Sequence, residues 1–501
     1  MSTPASAAGT LRPTALSRRA LQAGARRLPL VAILALQSML SLRLVNTAFQ
    51  DEALYIYAGH RLIAQLLHDT PSYDNYSTYF SGAPGLYPMA AGALDGLGGI
   101  ALVRVFSLLC MLAATVAVFW LTNRLFQAGG VFAAALFAVA GPVIFVGHLA
   151  TFDAPSLALL AGGAVLAVRS VGRGWWTLIG MAQVLVLAIF TKYAAVLFVP
   201  SVLTLLAIET RRRRGWGVAA VRVSLVTALI TAGTTVVLWL SSDALVHGIV
   251  ETTLRRHVVL GTSRVALART AVEYAGLLVL LGCAGLVVVW RRRPVLALLL
   301  LMSGLLAPLN HIRIAEATSL HKHVAFGFVF LAPLAGLAVA RLAASGRPWP
   351  GPQFLAGFAL IAAVFYSGLG QTDQLYSSWP NSQSLIYVLR TQVRPVTGRY
   401  LAEESEVPRY YLRGLIEPYQ WSSTYYFEYT KDGRRLTGID AYRSAIADRY
   451  FDVIVLRYGP TAVLDHQIDG PLRTQKGYQL IARLPTDTSF GAGHYWIWRR
   501  R

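Results

Sequence analysis

Long apolar runs separated by short polar intervals occupy most of the first 370 positions of the chain. Eleven are recognisable, at about 28–46, 100–121, 129–147, 155–170, 175–191, 193–208, 218–240, 269–290, 294–309, 323–341 and 353–370. Several approach the ~20 residues that an α-helix needs to cross a bilayer. The pattern predicts an all-α polytopic membrane protein of about eleven transmembrane helices. Past residue 370 the pattern changes: FDVIVLRYG (451–459) and YQLIARL (478–484) read as strands, and AYRSAIADRY (441–450) as a short helix before a strand. Three segments are therefore expected: a basic tail over 1–27, a transmembrane module over 28–370 and a small α/β domain over 371–501.

Between the first two runs lies a long loop, 47–99, with many aromatics and little Ser/Gly padding. It opens with NTAFQDEALYIYAGH (46–60), which reads as an amphipathic helix lying in the membrane interface, with the carboxylates Asp51 and Glu52 in its first turn.

Composition sharpens this picture. The 501 residues are 55% hydrophobic and only 14% charged, where a soluble domain carries about 25% charged residues. The net charge of +21 comes from short arginine clusters between apolar runs, not from a groove-like patch, so nucleic acid is not expected as a partner. With the N-terminus in the cytoplasm, Arg124, Arg169, Arg173, Arg211 to Arg214, Arg291 to Arg293, Arg341 and Arg347 all fall inside. The segments 47–99, 148–154, 241–268 and 309–322 then fall outside, as the positive-inside rule requires, and so does the C-terminal domain. No small-residue cleavage pattern follows the first run, which is read as an uncleaved span of a plasma-membrane protein. Cys110 and Cys283 lie inside apolar runs and offer neither a disulfide framework nor a metal knuckle.

The candidate chemistry collects on the outer face. Asp51 and Glu52 have an ordinary explanation in the helix dipole, and a functional one as a general base or metal ligand. Asp153, in GHLATFDAPSL (147–157), reads as an N-cap, yet it shares the face with Asp51 and with His148. Lys192, in FTKYAAV (190–196), either snorkels to the interface or reaches an anionic headgroup. SLHKHVAFGF (319–328) sets His321, Lys322 and His323 outside, with Arg313 upstream; this runs against the positive-inside pattern and suggests an anionic ligand or a headgroup contact. The two histidines, two residues apart, do not share a helix face and are not read as a metal site. YFSGAPGLYP (79–88) is a sharp turn among aromatics, with Tyr79, Pro84 and Tyr87 beside Tyr55 as loop candidates.

In this order, the acidic DE after the first span, GAPGLYP, TFDAP, TKYAAV and HKH before a late span resemble the GT-C superfamily of glycosyltransferases. The likeness is strongest to the family 39 group of protein O-mannosyltransferases and lipid A aminoarabinose transferases, and covers roughly residues 28–370. The family's double proline reads Ala83-Pro84 here, and its Lys-Gly-Pro reads Lys192-Tyr193-Ala194. The resemblance implies a polyprenyl-phosphate sugar donor and inverting transfer to a hydroxyl of a cell-envelope glycan, lipid or protein. Asp51 would be the base, and Glu52 and Asp153 would position the acceptor or a metal. Lys192, His321, Lys322, His323 and Arg313 would hold the donor phosphate, and Tyr55, Tyr79, Pro84, Tyr87 and His148 would line the acceptor side. A divalent metal at Asp51 and Asp153 is left open. The competing reading is a lipid or glycan flippase, but the acids lie in loops on one face and not within the spans.

Overall fold

The computed structural model describes residues 15–253, 261–344, 351–474 and 477–501, with side chains from Leu28 onward. The side chains of the basic tail and Arg347 lie outside the described residues. The helices are α1 (Ala15–Ser41), α2 (Gln50–His68), α3 (Tyr87–Phe126), α4 (Gly130–Ala138), α5 (Gly141–Val146), α6 (Asp153–Ser170), α7 (Trp176–Thr191), α8 (Val199–Leu240), α9 (Asp243–Thr253), α10 (Arg264–Val289), α11 (Pro294–Ile314), α12 (Leu320–Ala344) and α13 (Pro352–Tyr376). Every apolar run falls on helix, but the count of eleven spans is not confirmed. Among the described residues six helical stretches are long and apolar enough to cross a membrane, and Leu28–Ser41 and Trp176–Thr191 are shorter apolar helices.

The differences have backbone causes. The run 129–147 is two short helices, because Gly141-Pro142 begins α5 after α4 has ended. The runs 193–208 and 218–240 share α8, which breaks at Gly215 (φ +83°) just after the four arginines. That conformation is cheap only for glycine. Beyond the break α8 doubles back: Arg222 donates to the carbonyls of Ser170 and Arg173 at the end of α6, and Gly233 packs on Val186 of α7. In α3 a second break, at Gly98 and Gly99 (φ +66°), separates a loop helix from the apolar span. α12 is the hub, packed on α10, α11, α4 and α13, with 83% of its most apolar window buried.

The remaining elements are α14 (Gln383–Gln392), β1 (Tyr400–Ala402), α15 (Glu406–Tyr411), β2 (Trp421–Ser423), β3 (Tyr429–Lys431), β4 (Arg434–Leu436), α16 (Gly438–Ala447), β5 (Val453–Leu456), α17 (Ala462–Thr474), β6 (Tyr478–Thr488) and β7 (Gly491–Arg500). Strand order is β2-β1-β5-β7-β6, parallel from β2 to β5 and antiparallel through β7 and β6. β5 reads VIVL, buried throughout because both faces are covered. Ile454 and Leu456 pack with Ile446 of α16 and Ile468 of α17, and Val453 and Val455 with Leu385 and Leu389 of α14.

This sheet region sits on the first loop. Asp95 of α3, its carboxylate enclosed, receives His60 at 2.7 Å, the Tyr410 hydroxyl at 2.5 Å and the Arg413 guanidinium at 2.9 Å. Arg409 bonds Asp74 at 2.8 Å, and the Tyr411 hydroxyl accepts from the Ala48 amide at 2.8 Å.

Candidate active site

α2 begins at Gln50, so Asp51 and Glu52 lie in its first turn, where the dipole favours carboxylates. Their fates differ. Glu52 is fully buried and its oxygens are taken: Oε2 accepts from the Phe49 amide (2.9 Å) and Arg104 Nη2 (2.7 Å), and Oε1 from Arg104 Nε (2.9 Å) and the Ala150 amide (2.8 Å). It caps its own helix and fastens the first loop to the one before α6. The expectation that Glu52 positions the acceptor or a metal is corrected on this ground, since no lone pair is left for either. Its partner Arg104, which sequence reasoning missed, is a single charge inside the apolar run ALVRVF.

Asp51, with 42% of its side chain exposed, accepts from Lys322 Nζ at 2.5 Å. Asp153, wholly buried at the start of α6, meets Lys192 Nζ at 2.5 Å and the Thr151 hydroxyl at 2.9 Å. Lys192 also lies over the Phe152 ring, 4.9 Å from its centroid. The two pairs are neighbours: Lys322 acts electrostatically on Asp153 and on Lys192. Tyr55, one turn beyond Asp51, packs on Phe80 and Phe152. Burial, reinforced by Asp51 and Asp153, holds its phenol well above the ordinary value, so it stays protonated.

Two loops distant in sequence are joined beneath these pairs. The Ala83 amide donates to the Phe190 carbonyl (2.7 Å), and the Tyr193 amide to the Ser81 carbonyl (2.9 Å). A side chain on Gly82 would put its Cβ 2.2 Å from the Thr191 carbonyl oxygen. SGAPG therefore lies backbone to backbone against FTKY and fixes where Lys192 leaves α7.

The other candidates are distributed. His321 touches the Phe145 ring edge-on at 5.3 Å between centroids and acts electrostatically with Asp51 and Asp153. His323 turns away to His311, 2.8 Å between ring nitrogens, as the spacing of the two histidines requires. Arg313 is exposed and donates to Asn310; no contact among the described residues joins it to the pairs, so it is not brought into the cluster. His148 is buried beside Glu52 and Arg104, and burial pushes its imidazole down to about 4, with Arg104 adding to the effect. It is neutral, and it belongs to the Glu52 side and not to an open cavity. Tyr87 is buried against Phe152, Pro84 is buried in the docked turn, and Tyr79 is about half exposed. The two carboxylates at which a divalent ion is left open, Asp51 and Asp153, are each paired to an ammonium in this structure. Among the described residues no group of three His, Cys, Asp or Glu converges.

A family model described as dolichyl-phosphate-mannose-protein mannosyltransferase matches residues 98–239. No curated protein matches the chain. Among solved structures, ArnT from Cupriavidus metallidurans in the apo state superposes with a TM-score of 0.61 at 15% identity, covering 95% of this chain and 98% of that one. The same protein bound to undecaprenyl phosphate gives 0.58 at 14% identity, with 94% and 97% covered. The Archaeoglobus fulgidus oligosaccharyltransferase gives 0.55 at 13% identity, covering 92% of this chain and 72% of that one. This chain carries the GT-C fold.

Within this GT-C fold, that of a multi-pass membrane protein, an apolar cavity of about 800 Å³ opens beside the joined loops. Ala83, Pro84 and Leu86 line it from one side, and Phe190, Val186 and Val237 from the other. The C-terminal sheet region adds Glu406, which accepts from the Gln50 side chain at 3.2 Å. Burial pushes its carboxyl up, and Asp51 adds to the shift. Sequence reasoning found no chemical group in that region; only the docking of α15 onto α2 brings Glu406 here.

Proposed function

We propose that the chain is a membrane glycosyltransferase that moves a sugar from a polyprenyl-phosphate donor to an acceptor hydroxyl. One observation carries this reading: on a GT-C scaffold, two buried lysines, each paired to a carboxylate, act on one another electrostatically, and the joined loops that place Lys192 also line an apolar cavity. Such a cavity suits a prenyl tail, and the lysines suit the phosphate that joins tail to sugar. The superposition on a protein bound to undecaprenyl phosphate supports a lipid of this kind.

Asp51 is the exposed carboxylate and the one an acceptor reaches. When the donor phosphate arrives, Lys322 exchanges Asp51 for it, and the freed carboxylate takes the acceptor's hydroxyl proton. The acceptor oxygen then bonds to the anomeric carbon as the bond from that carbon to the phosphate oxygen breaks. A single displacement of this kind inverts the configuration. Lys192 and Lys322 stabilise the charge that develops on the departing polyprenyl phosphate, while Asp153 holds Lys192 in place.

The test is transfer or slow donor hydrolysis by purified protein in lipid, over a panel of labelled polyprenyl-phosphate sugars. One donor should turn over, and Asp51→Asn should slow it at least ~10²-fold with donor binding retained. Full activity of Asp51→Asn would show the base to be another group. If the wild type left every donor intact and carried lipid across the bilayer, the transferase reading would give way to a flippase.

A further inference from the structure

The far end of the bundle holds a second charged cluster that the transfer chemistry does not use. α3 runs from Arg104, beside Glu52, to Arg124, and α12 from Lys322, beside Asp51, to Arg341. At ~1.5 Å per residue each path is about 30 Å, roughly one hydrocarbon thickness. There Arg124, Arg212, Arg213, Arg291, Arg292 and Arg341 line a single open cavity of about 1030 Å³. They come from the end of α3, the break in α8, the turn between α10 and α11 and the end of α12. Phe126, Leu286, Val289 and Leu337 form its apolar side.

One carboxylate serves this cluster. Glu209 takes Arg293, which also donates to the Leu125 carbonyl. Among the described residues, none of the other six arginines has an ion pair. The positive-inside rule explains why arginine lies at this end, but a topology signal acts from separate loops and needs no shared concavity. Convergence of six guanidinium groups on one space is unfavourable until an anion enters it. Guanidinium forks match phosphate oxygens two at a time, and basic pockets between membrane helices suit phosphorylated headgroups.

We propose that this cavity binds a phosphate-bearing anion. The guanidinium groups hold the phosphate, and the apolar side accepts the start of any chain attached to it. An anionic phospholipid headgroup and a free diphosphate share this chemistry. The proposal does not depend on the transfer reaction at the other end.

The experiment uses the wild-type full chain in phosphatidylcholine nanodiscs, with phenylglyoxal modification of arginines followed by peptide mass spectrometry. One arm adds inorganic pyrophosphate; another replaces part of the lipid with phosphatidylglycerol. Modification of Arg124 and Arg341 should slow at least ~10-fold in one arm or both, the protection that ~1.4 kcal/mol of binding gives. Arg214, on the same α8 break but outside the cavity lining, should keep its rate. Protection by pyrophosphate assigns a soluble anion, and protection by phosphatidylglycerol alone assigns a headgroup. Equal slowing at Arg214 would mean diffuse screening, and that result, like no protection in either arm, overturns the proposal.

Discussion

At one end of the bundle Glu52 and Asp153 are wholly enclosed, and each meets its cation at hydrogen-bond distance. At the other, arginines stand open around a cavity, and among the described residues only Arg293 of them is paired, to Glu209. Both ends hold several charges at a membrane boundary, yet the physics differs. Enclosed charges need their partners, because burial removes the water that would otherwise solvate them. Open ones keep their water and leave their hydrogen-bonding capacity available. The first arrangement sets positions within a fold; the second waits for a ligand.

The largest effect should come from separating an enclosed pair. Arg104→Met leaves Glu52 buried without its cation and should cost about 3–5 kcal/mol, read as lost thermal stability of the detergent-solubilised protein. If stability is unchanged, the enclosed end is not held by that pair. Gly82→Ala drives a methyl into the Thr191 carbonyl and should cost about 1–3 kcal/mol, with a larger loss of transfer than of stability because Lys192 shifts. Equal losses would mean that the joined loops are merely structural.

The sheet region supplies a smaller, pH-dependent contrast. Burial pushes Asp465 up to about 8, with Glu403 adding to the shift, and pushes Glu404 up to about 7 against the pull of Arg457. Carboxyls raised in this way bind protons in the folded state that the unfolded chain has released. Their stabilisation is complete below the ordinary values of 3.8 and 4.5 and declines as pH rises through about 7 to 8. Hydrogen exchange of the β5 amides in the full chain, corrected for intrinsic rates, should show protection falling over that window. Asp465→Asn should flatten the profile; an unchanged slope would assign the dependence elsewhere. Smallest of all, Arg214→Gln, at the open end, should change stability by no more than ~0.5 kcal/mol. A larger loss would show that the open end is also held by its charges.

Much of this was legible in the chain because it is periodic or ordered. Apolar runs announced the helices, and the alternate placing of arginine and acid announced which motifs share an end. Pairing was not legible. Lys322 and Asp51 are 271 positions apart, and no spacing rule connects them. Arg104 reads as a tolerated charge within an apolar run until Glu52 is seen against it. Gly82 reads as turn punctuation until the Thr191 carbonyl is found where its side chain would be. Hydropathy did not show that the run 129–147 breaks at Gly141-Pro142, or that 193–208 and 218–240 are one helix kinked at Gly215, because it records composition and not backbone direction.

The meeting of His60, Tyr410 and Arg413 on Asp95 bears on engineering. Exchange of the C-terminal region between relatives would treat it as a cartridge. In this molecule the graft junction runs through a carboxylate that receives two of its three partners from the incoming piece. A chimaera that keeps Asp95 but brings apolar residues at 410 and 413 would inherit a buried acid left with His60 alone. Designs that exchange the acid together with its tyrosine and arginine are the ones to build first.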